Sequence, residues 1–105
     1  MEITEESING KLIVHLVGKL DTVTSPDLQE KLMALVLDEV KTIYLDFTDL
    51  SYVSSAGLRV LLMTQKRVKP LGGEVVLVAV NTSIKEVFRI SGFSTLFSFV
   101  DALPQ

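Results

Sequence analysis

The sequence contains no cysteine and a single histidine, His15. The first absence excludes a disulfide framework, a thiolate nucleophile and any cysteine-ligated metal, and it is compatible with the cytosol. With one histidine, a metal would have to rest on carboxylates, and Asp46 and Asp49 do not follow calcium-loop spacing, so no metal site is expected. No run approaches the ~18 uncharged apolar residues of a membrane span. The acidic start, Met1 to Glu6, lacks the basic and apolar stretches of a signal peptide, so a cytoplasmic chain without a membrane partner is expected. Positive charge is not in excess. Ten Lys and Arg face thirteen Asp and Glu, a net charge of −3, which argues against nucleic acid as a direct partner. Neither Gly-x-x-x-x-Gly-Lys-Ser/Thr nor Gly-x-Gly-x-x-Gly occurs, so no nucleotide-hydrolysing site, dinucleotide site or cofactor is expected.

What is present suits one compact domain spanning residues 1–105, with 48% hydrophobic residues for a core and 22% charged residues for solubility. Residues 3–8 and 11–20 are β-like and are joined by Asn9-Gly10, a strong hairpin signal. Residues 12–17 are almost continuously apolar, which predicts a strand covered on both faces. Ser25 followed by Pro26 reads as an N-cap and first helical position. Leu28, Leu32, Leu35 and Val36 then form the inward stripe of a helix, with Glu30, Lys31 and Asp38 turned to water. Residues 42–47 read as a buried strand. A second helix runs from about Ser55 to Val68, with Leu58, Leu61, Leu62 and Val68 inward and Arg59, Lys66 and Arg67 outward, and is ended by Pro70 and Gly72-Gly73. A strand over 74–80, a helix capped among Asn81, Thr82 and Ser83 and closed by Gly92, and a short strand over 96–100 complete the chain. The order β-β-α-β-α-β-α-β predicts an α/β domain: a mixed, mostly parallel sheet covered by helices.

The most informative stretch is Leu50-Ser51-Tyr52-Val53-Ser54-Ser55-Ala56-Gly57-Leu58, where strand gives way to helix. A helix start presents free N–H groups and the positive end of the helix dipole, which suits a phosphate, bound or attached to serine. Ser54 or Ser55 can equally be an N-cap, and a capping serine can also be modified. Gly57, inside the first turn, costs roughly 1 kcal/mol relative to alanine, which implies that a partner backbone or a phosphate approaches closely. His15, inside an apolar strand, reads as a satisfied, half-buried histidine rather than a catalytic base. Asp21, Asp46 and Asp49 read as loop carboxylates, or as acids that sense the state of Ser55.

Several segments together, in order, resemble the STAS domain of bacterial anti-sigma factor antagonists. They are Gly18-Lys19-Leu20-Asp21-Thr22-Val23-Thr24, Leu45-Asp46-Phe47 running into residues 50–58, Gly72-Gly73-Glu74-Val75, and Phe88-Arg89-Ile90-Ser91-Gly92-Phe93. The resemblance implies a single STAS domain acting as a cytoplasmic binding protein, not an enzyme, and a monomer. It implies that the chain binds an anti-sigma factor that is also a serine kinase, so freeing a sigma factor. Phosphorylation of a serine at the start of the second helix would break the complex, and a PP2C-type phosphatase would reverse it. Alignment on Gly57-Leu58 places the phosphoacceptor at Ser55. Ser54 stands where the family often has aspartate, and Ala56 where it often has Ser or Thr. Because a kinase must reach that hydroxyl, the expected partner surface is the rim around it: Asp21, Thr24, Ser54, Ser55, Gly57 and the exposed side of the second helix from Arg59. The alternative on the same fold is an interaction or ligand-binding module that scaffolds a signalling complex and is never phosphorylated.

Overall fold

The computed structural model describes residues 1–9, 11–37 and 42–103. The elements are β1 (Glu2–Ile8), β2 (Lys11–Leu20), α1 (Ser25–Leu37), β3 (Thr42–Val53), α2 (Ser55–Val68), a 3-10 turn (Lys69–Leu71), β4 (Glu74–Val78), α3 (Thr82–Ile90) and β5 (Ser98–Val100). This is the expected order, and the α/β class holds. The strands form one five-stranded sheet in the spatial order β1-β2-β3-β4-β5. The β1–β2 pair is antiparallel and the other three pairs are parallel. Asn9 takes a positive φ of 51° at the hairpin, as a tight primed turn needs; Gly10 lies outside the described residues, as does Asp38.

Strands laid down one after another in a single direction, each joined by a right-handed crossover, place every crossover helix on the same side of the sheet. The packing agrees. Val14 and Leu16 of β2, Ile43, Leu45 and Phe47 of β3, and Val75 and Leu77 of β4 share one core with Leu28 and Leu32 of α1, Leu58 and Leu61 of α2, and Ile84 and Phe88 of α3. Phe88 stacks edge-on against Phe97 and Phe99. On the opposite face Ile13, Val76 and Val78 are buried but lie outside that core. The expectation that residues 12–17 are covered on both faces holds for Ile13 and not for His15, which is half-buried, or Val17, which is exposed.

Three boundaries also differ. β3 runs six residues past Phe47, because residues 49–53 still pair with β2 through two register shifts, opposite His15–Val17 and Gly18–Lys19. Those bulges break the alternation by which a strand is recognised. β4 stops at Val78, where Ala79 turns to a positive φ of 55°. The final strand begins at Ser98 rather than residue 96. Within α2, Leu62 is only half-buried while Val60 is buried against the core.

The helix-free face carries an ionic latch. His15 Nδ1 lies 2.6 Å from Asp46 Oδ2, and Nε2 lies 2.7 Å from Glu6 Oε1. A ring flanked by two carboxylates satisfies both only as imidazolium, donating from each nitrogen. Burial works against that charge, but the hydrogen bonds and charges of Glu6 and Asp46 outweigh it and raise the His15 pKa above 6.5. Burial likewise opposes ionisation of Asp46, yet the Thr48 hydroxyl and N–H, with His15, hold its pKa below the ordinary value. The expectation that Asp46 and Asp49 are loop carboxylates is corrected: both are residues of β3, Asp49 paired opposite Val17 and Asp46 tying β3 to β2 through His15.

The pH dependence follows from these directions. His15, with its folded pKa raised, contributes fully below its unfolded pKa, and the contribution is lost as pH rises through the folded value. Asp46, with its folded pKa lowered, contributes above its unfolded pKa and loses that contribution only on strong acidification. With one histidine and no cysteine, His15 is the side chain that titrates near neutrality. The melting temperature should fall from about pH 6 to about pH 8.5, and His15→Gln should flatten that slope. An equal slope in both proteins, followed by circular dichroism, would remove the latch from the account.

Candidate partner-binding and modification site

The carboxyl ends of parallel strands converge on one rim, where ligands and partners of open α/β sheets are met. Here the rim joins the end of β2 to the start of α2. The Ser54 N–H donates to the Leu20 carbonyl at 2.8 Å. Ser54 is extended (φ −89°, ψ 172°), and its hydroxyl accepts from the Gly57 N–H at 3.2 Å, so Ser54 is the N-cap of α2. Ser55 is the first helical residue, and it is exposed. Its hydroxyl makes no side-chain hydrogen bond among the described residues, because capping is done by its neighbour. The two adjacent serines thus divide the roles between them.

Gly57 answers to the interior rather than to a ligand. A Cβ built there would lie 2.6 Å from Leu20 Cγ, 2.9 Å from Leu20 Cδ2 and 3.2 Å from the Leu20 carbonyl oxygen. Leu20 is fully buried, so it has little room to withdraw. The close approach inferred from the sequence is real, but the approaching group is Leu20 rather than a partner backbone or a phosphate. Gly57 is itself buried, and its place on the rim is that of a spacer.

Asp21 and Thr24 lie on the loop that follows Leu20 and are bound to one another. The Asp21 N–H donates to Thr24 Oγ1 at 2.9 Å, and the Thr24 hydroxyl lies 2.8 Å from the Lys19 carbonyl. Asp21 Oδ1 accepts from the Val23 and Thr24 N–H groups, each at 3.0 Å. The Thr24 N–H above all, against a smaller effect of desolvation, holds the Asp21 carboxyl below its ordinary pKa. The Ser25 hydroxyl donates to the Asp21 carbonyl, and α1 already includes Ser25. The expectation that Ser25 caps α1 is corrected. Asp46, paired with His15 on the far face of the sheet, is not beside Ser55.

Two shallow grooves flank Ser55 and Arg59. One of about 310 Å³ is lined by Ser55, Leu58, Arg59, Leu62, Ser91 and Phe93. The other, of about 250 Å³, lies toward α1 and includes Thr22, Pro26, Ala56, Arg59 and Met63. Ser91, Phe93 and Thr22 are rim residues that the sequence reading left without a place in the site, and Leu62, expected to face inward, joins them. For Phe93 the signal was a large aromatic just past the helix-closing Gly92, which takes a φ of 78°. Among the described residues no group of three or more metal-ligating side chains is assembled, and no helix is long and apolar enough to cross a membrane.

Comparison with known proteins gives the family. The STAS domain family model matches residues 2–104. The chain belongs to the STAS domain family. Among relatives, this STAS domain is 38% identical over 97 residues to BtrV of Bordetella bronchiseptica, named for anti-sigma factor antagonism, covering 92% of this chain and 84% of that one. It is 31% identical over 83 residues to the anti-sigma-B factor antagonist of Staphylococcus aureus, covering 79% of this chain and 77% of that one. In fold it is similar to the Bacillus protein SpoIIAA. The unphosphorylated form gives a TM-score of 0.78 at 20% identity, covering 97% of this chain and 90% of that one. The phosphorylated form gives 0.77 at 22% identity, covering 97% and 92%.

Two stability measurements test the division of labour. Ser54→Ala removes the cap and should cost about 1 kcal/mol, a melting shift of roughly 4–8 °C for a domain of this size, whereas Ser55→Ala should shift it much less. Equal shifts would contradict the assignment of the cap. Gly57→Ala should destabilise by about 1–3 kcal/mol although alanine is the better helix former. Most of that loss should disappear in a Leu20→Ala background, and a fully additive double variant would show that the contact is not the cause.

Proposed function

We propose that this STAS domain is an anti-sigma factor antagonist, a binding protein rather than an enzyme. On this reading it binds, in the cytoplasm and as a monomer, an anti-sigma factor that is also a serine kinase, and so releases a sigma factor. Phosphorylation of Ser55 ends the binding, and a PP2C-type phosphatase restores it. Kinship with the Bordetella and Staphylococcus proteins supports the antagonist role.

Ser55 carries the regulatory part: its hydroxyl is exposed on the first turn of α2 while Ser54 supplies the cap. A kinase must bring the γ-phosphate of ATP to that hydroxyl, so whatever surrounds it is covered in the encounter. Asp21, Thr24, Ser54 and Arg59 are the neighbours this implies, with Gly57 holding the backbone close beneath them. A phosphate on the first turn of a helix is favoured by the dipole by roughly 0.3–1 kcal/mol, so the fold should survive modification. In an interface the same group adds about −1.5 to −2 charges that must be desolvated. Binding should therefore change far more than stability.

The test is incubation with ATP and each anti-sigma factor kinase encoded by the same genome, followed by mass-spectrometric site mapping. Phosphate should appear on Ser55, with a melting temperature close to that of the unmodified protein. Ser55→Asp should bind the kinase weakly, and Ser55→Ala should bind but resist switching. Phosphate on Ser54 would move the site, and tight kinase binding by Ser55→Asp would refute the electrostatic switch. Binding without phosphorylation by any of these kinases would instead support a scaffolding module.

A further inference from the structure

The stretch between Asp49 and Glu74 contains four cations, Arg59, Lys66, Arg67 and Lys69, and no anion. The rest of the chain keeps six cations against thirteen anions, a charge of −7. Lys69 is spent on Glu74, 3.4 Å away. Arg59, Lys66 and Arg67 are exposed and make no ion pair among the described residues. Ser55, Arg59, Leu62 and Lys66 are spaced by four, three and four, which sets them in one line along the outer face of α2. Met63 and Arg67 lie beside that line, one position further round. Arg59, Leu62, Met63, Lys66 and Arg67 together line an open groove of about 440 Å³. Two half-buried apolar side chains thus sit between three unpaired cations, in a run that begins at Ser55.

We propose that this stripe is the part of the surface that selects the partner, and that it takes a protein face carrying carboxylates around an apolar knob. The inference rests on the antagonist reading and goes beyond it by extending the contact some three turns from Ser55 and naming its chemistry. Charge complementarity favours this occupant, since cations on an otherwise acidic molecule steer an acidic face to one helix and repel other approaches. The apolar centre favours a protein over a polyanion, because phosphates bury nothing against Leu62 and Met63. A remainder of −7 also repels nucleic acid and anionic membranes.

The experiment compares Lys66→Glu/Arg67→Glu with Lys11→Glu/Lys85→Glu, which changes net charge equally from exposed positions off the stripe. Association with each anti-sigma factor of the same genome is followed at low and high salt, after circular dichroism has shown unchanged melting. Lys66→Gln/Arg67→Gln serves as the milder pair if charge reversal unfolds the helix. The stripe variant should associate at least roughly tenfold more slowly at low salt, with the gap narrowing as salt rises, while the control pair stays near wild type. Equal slowing of both pairs, or none in the stripe variant while wild type binds, overturns the proposal and leaves the antagonist function standing. Failure of wild type to bind any anti-sigma factor overturns both. Wild-type binding to duplex DNA or phosphatidylglycerol vesicles that the stripe variant loses would assign the stripe to a polyanion and also overturn the proposal.

Discussion

The end of β2 is pinned to the start of α2, and the arrangement of the rim depends on that join. Leu20 takes part with both its backbone and its side chain. Its carbonyl accepts the Ser54 N–H, and its side chain fills the space that Gly57 leaves empty. Glycine in a helix costs roughly 1 kcal/mol, and a fully buried leucine contributes about 1.5–3 kcal/mol, so the exchange favours the close approach. The same strand end leads directly into the Asp21–Thr24 turn, where Asp21 and Thr24 bind one another and the Thr24 hydroxyl returns to the Lys19 carbonyl. The positions of Ser54, Ser55 and Asp21 are therefore consequences of core packing. The surface hydroxyl proposed as the phosphoacceptor is held by a residue that never sees solvent.

Winding the chain in one direction has a second consequence. It commits all three helices to one face and leaves the other to be closed by side chains alone. There Ile13, Val76 and Val78 are buried, and the His15 ion cluster links the three strands at that end of the sheet, since Glu6, His15 and Asp46 belong to β1, β2 and β3. A charged latch suits a half-solvated face, where the ions keep part of their hydration, better than it would suit the helix-covered core. The two faces thus do different work, one building the core and the rim above it, the other securing the antiparallel strand to the parallel sheet.

Element order, strand pairing through the hairpin and the strand-to-helix turn at Ser55 were legible in the sequence, because apolar period, Asn-Gly and the hydroxyl run are local signals. What escaped was set by contacts between distant segments. Whether Ser54 or Ser55 caps α2 depends on which residue is held extended, and the Leu20 carbonyl settles that. Gly57 pointed correctly to a close approach, but only the fold names Leu20. The extension of β3 was hidden because bulges pair residues that do not alternate. Leu62 fits an inward helical stripe by spacing alone, yet it is only half-buried, whereas Val60 joins Leu61 in the core. His15 was rightly read as satisfied, yet its partners come from 9 and 31 residues away, beyond the reach of any pattern. Gln65 escaped for the same reason. It is buried inside α2, accepts from the Val75 N–H and donates to the Leu96 carbonyl, so it binds α2 to β4 and to the segment before β5.

The electrostatics of α2 bear on how a single modification can act without reshaping the fold. A dianion on the first turn meets the free N–H groups and the positive end of the dipole, and Arg59 stands one turn further on, at the favourable spacing of four with the anion on the N-terminal side. Within the molecule the helix terminus and Arg59 therefore favour the charge. Against the acidic partner proposed for this helix the same charge would have the opposite effect, repelling the incoming carboxylates and offsetting the Arg59 cation that would have met them. On the proposed reading, tolerance in the free protein and intolerance in the complex would arise from one residue position, since the partner face complementary to a basic helix is the face that a phosphate at its start disfavours most. A switch built in this way needs no second conformation of the domain.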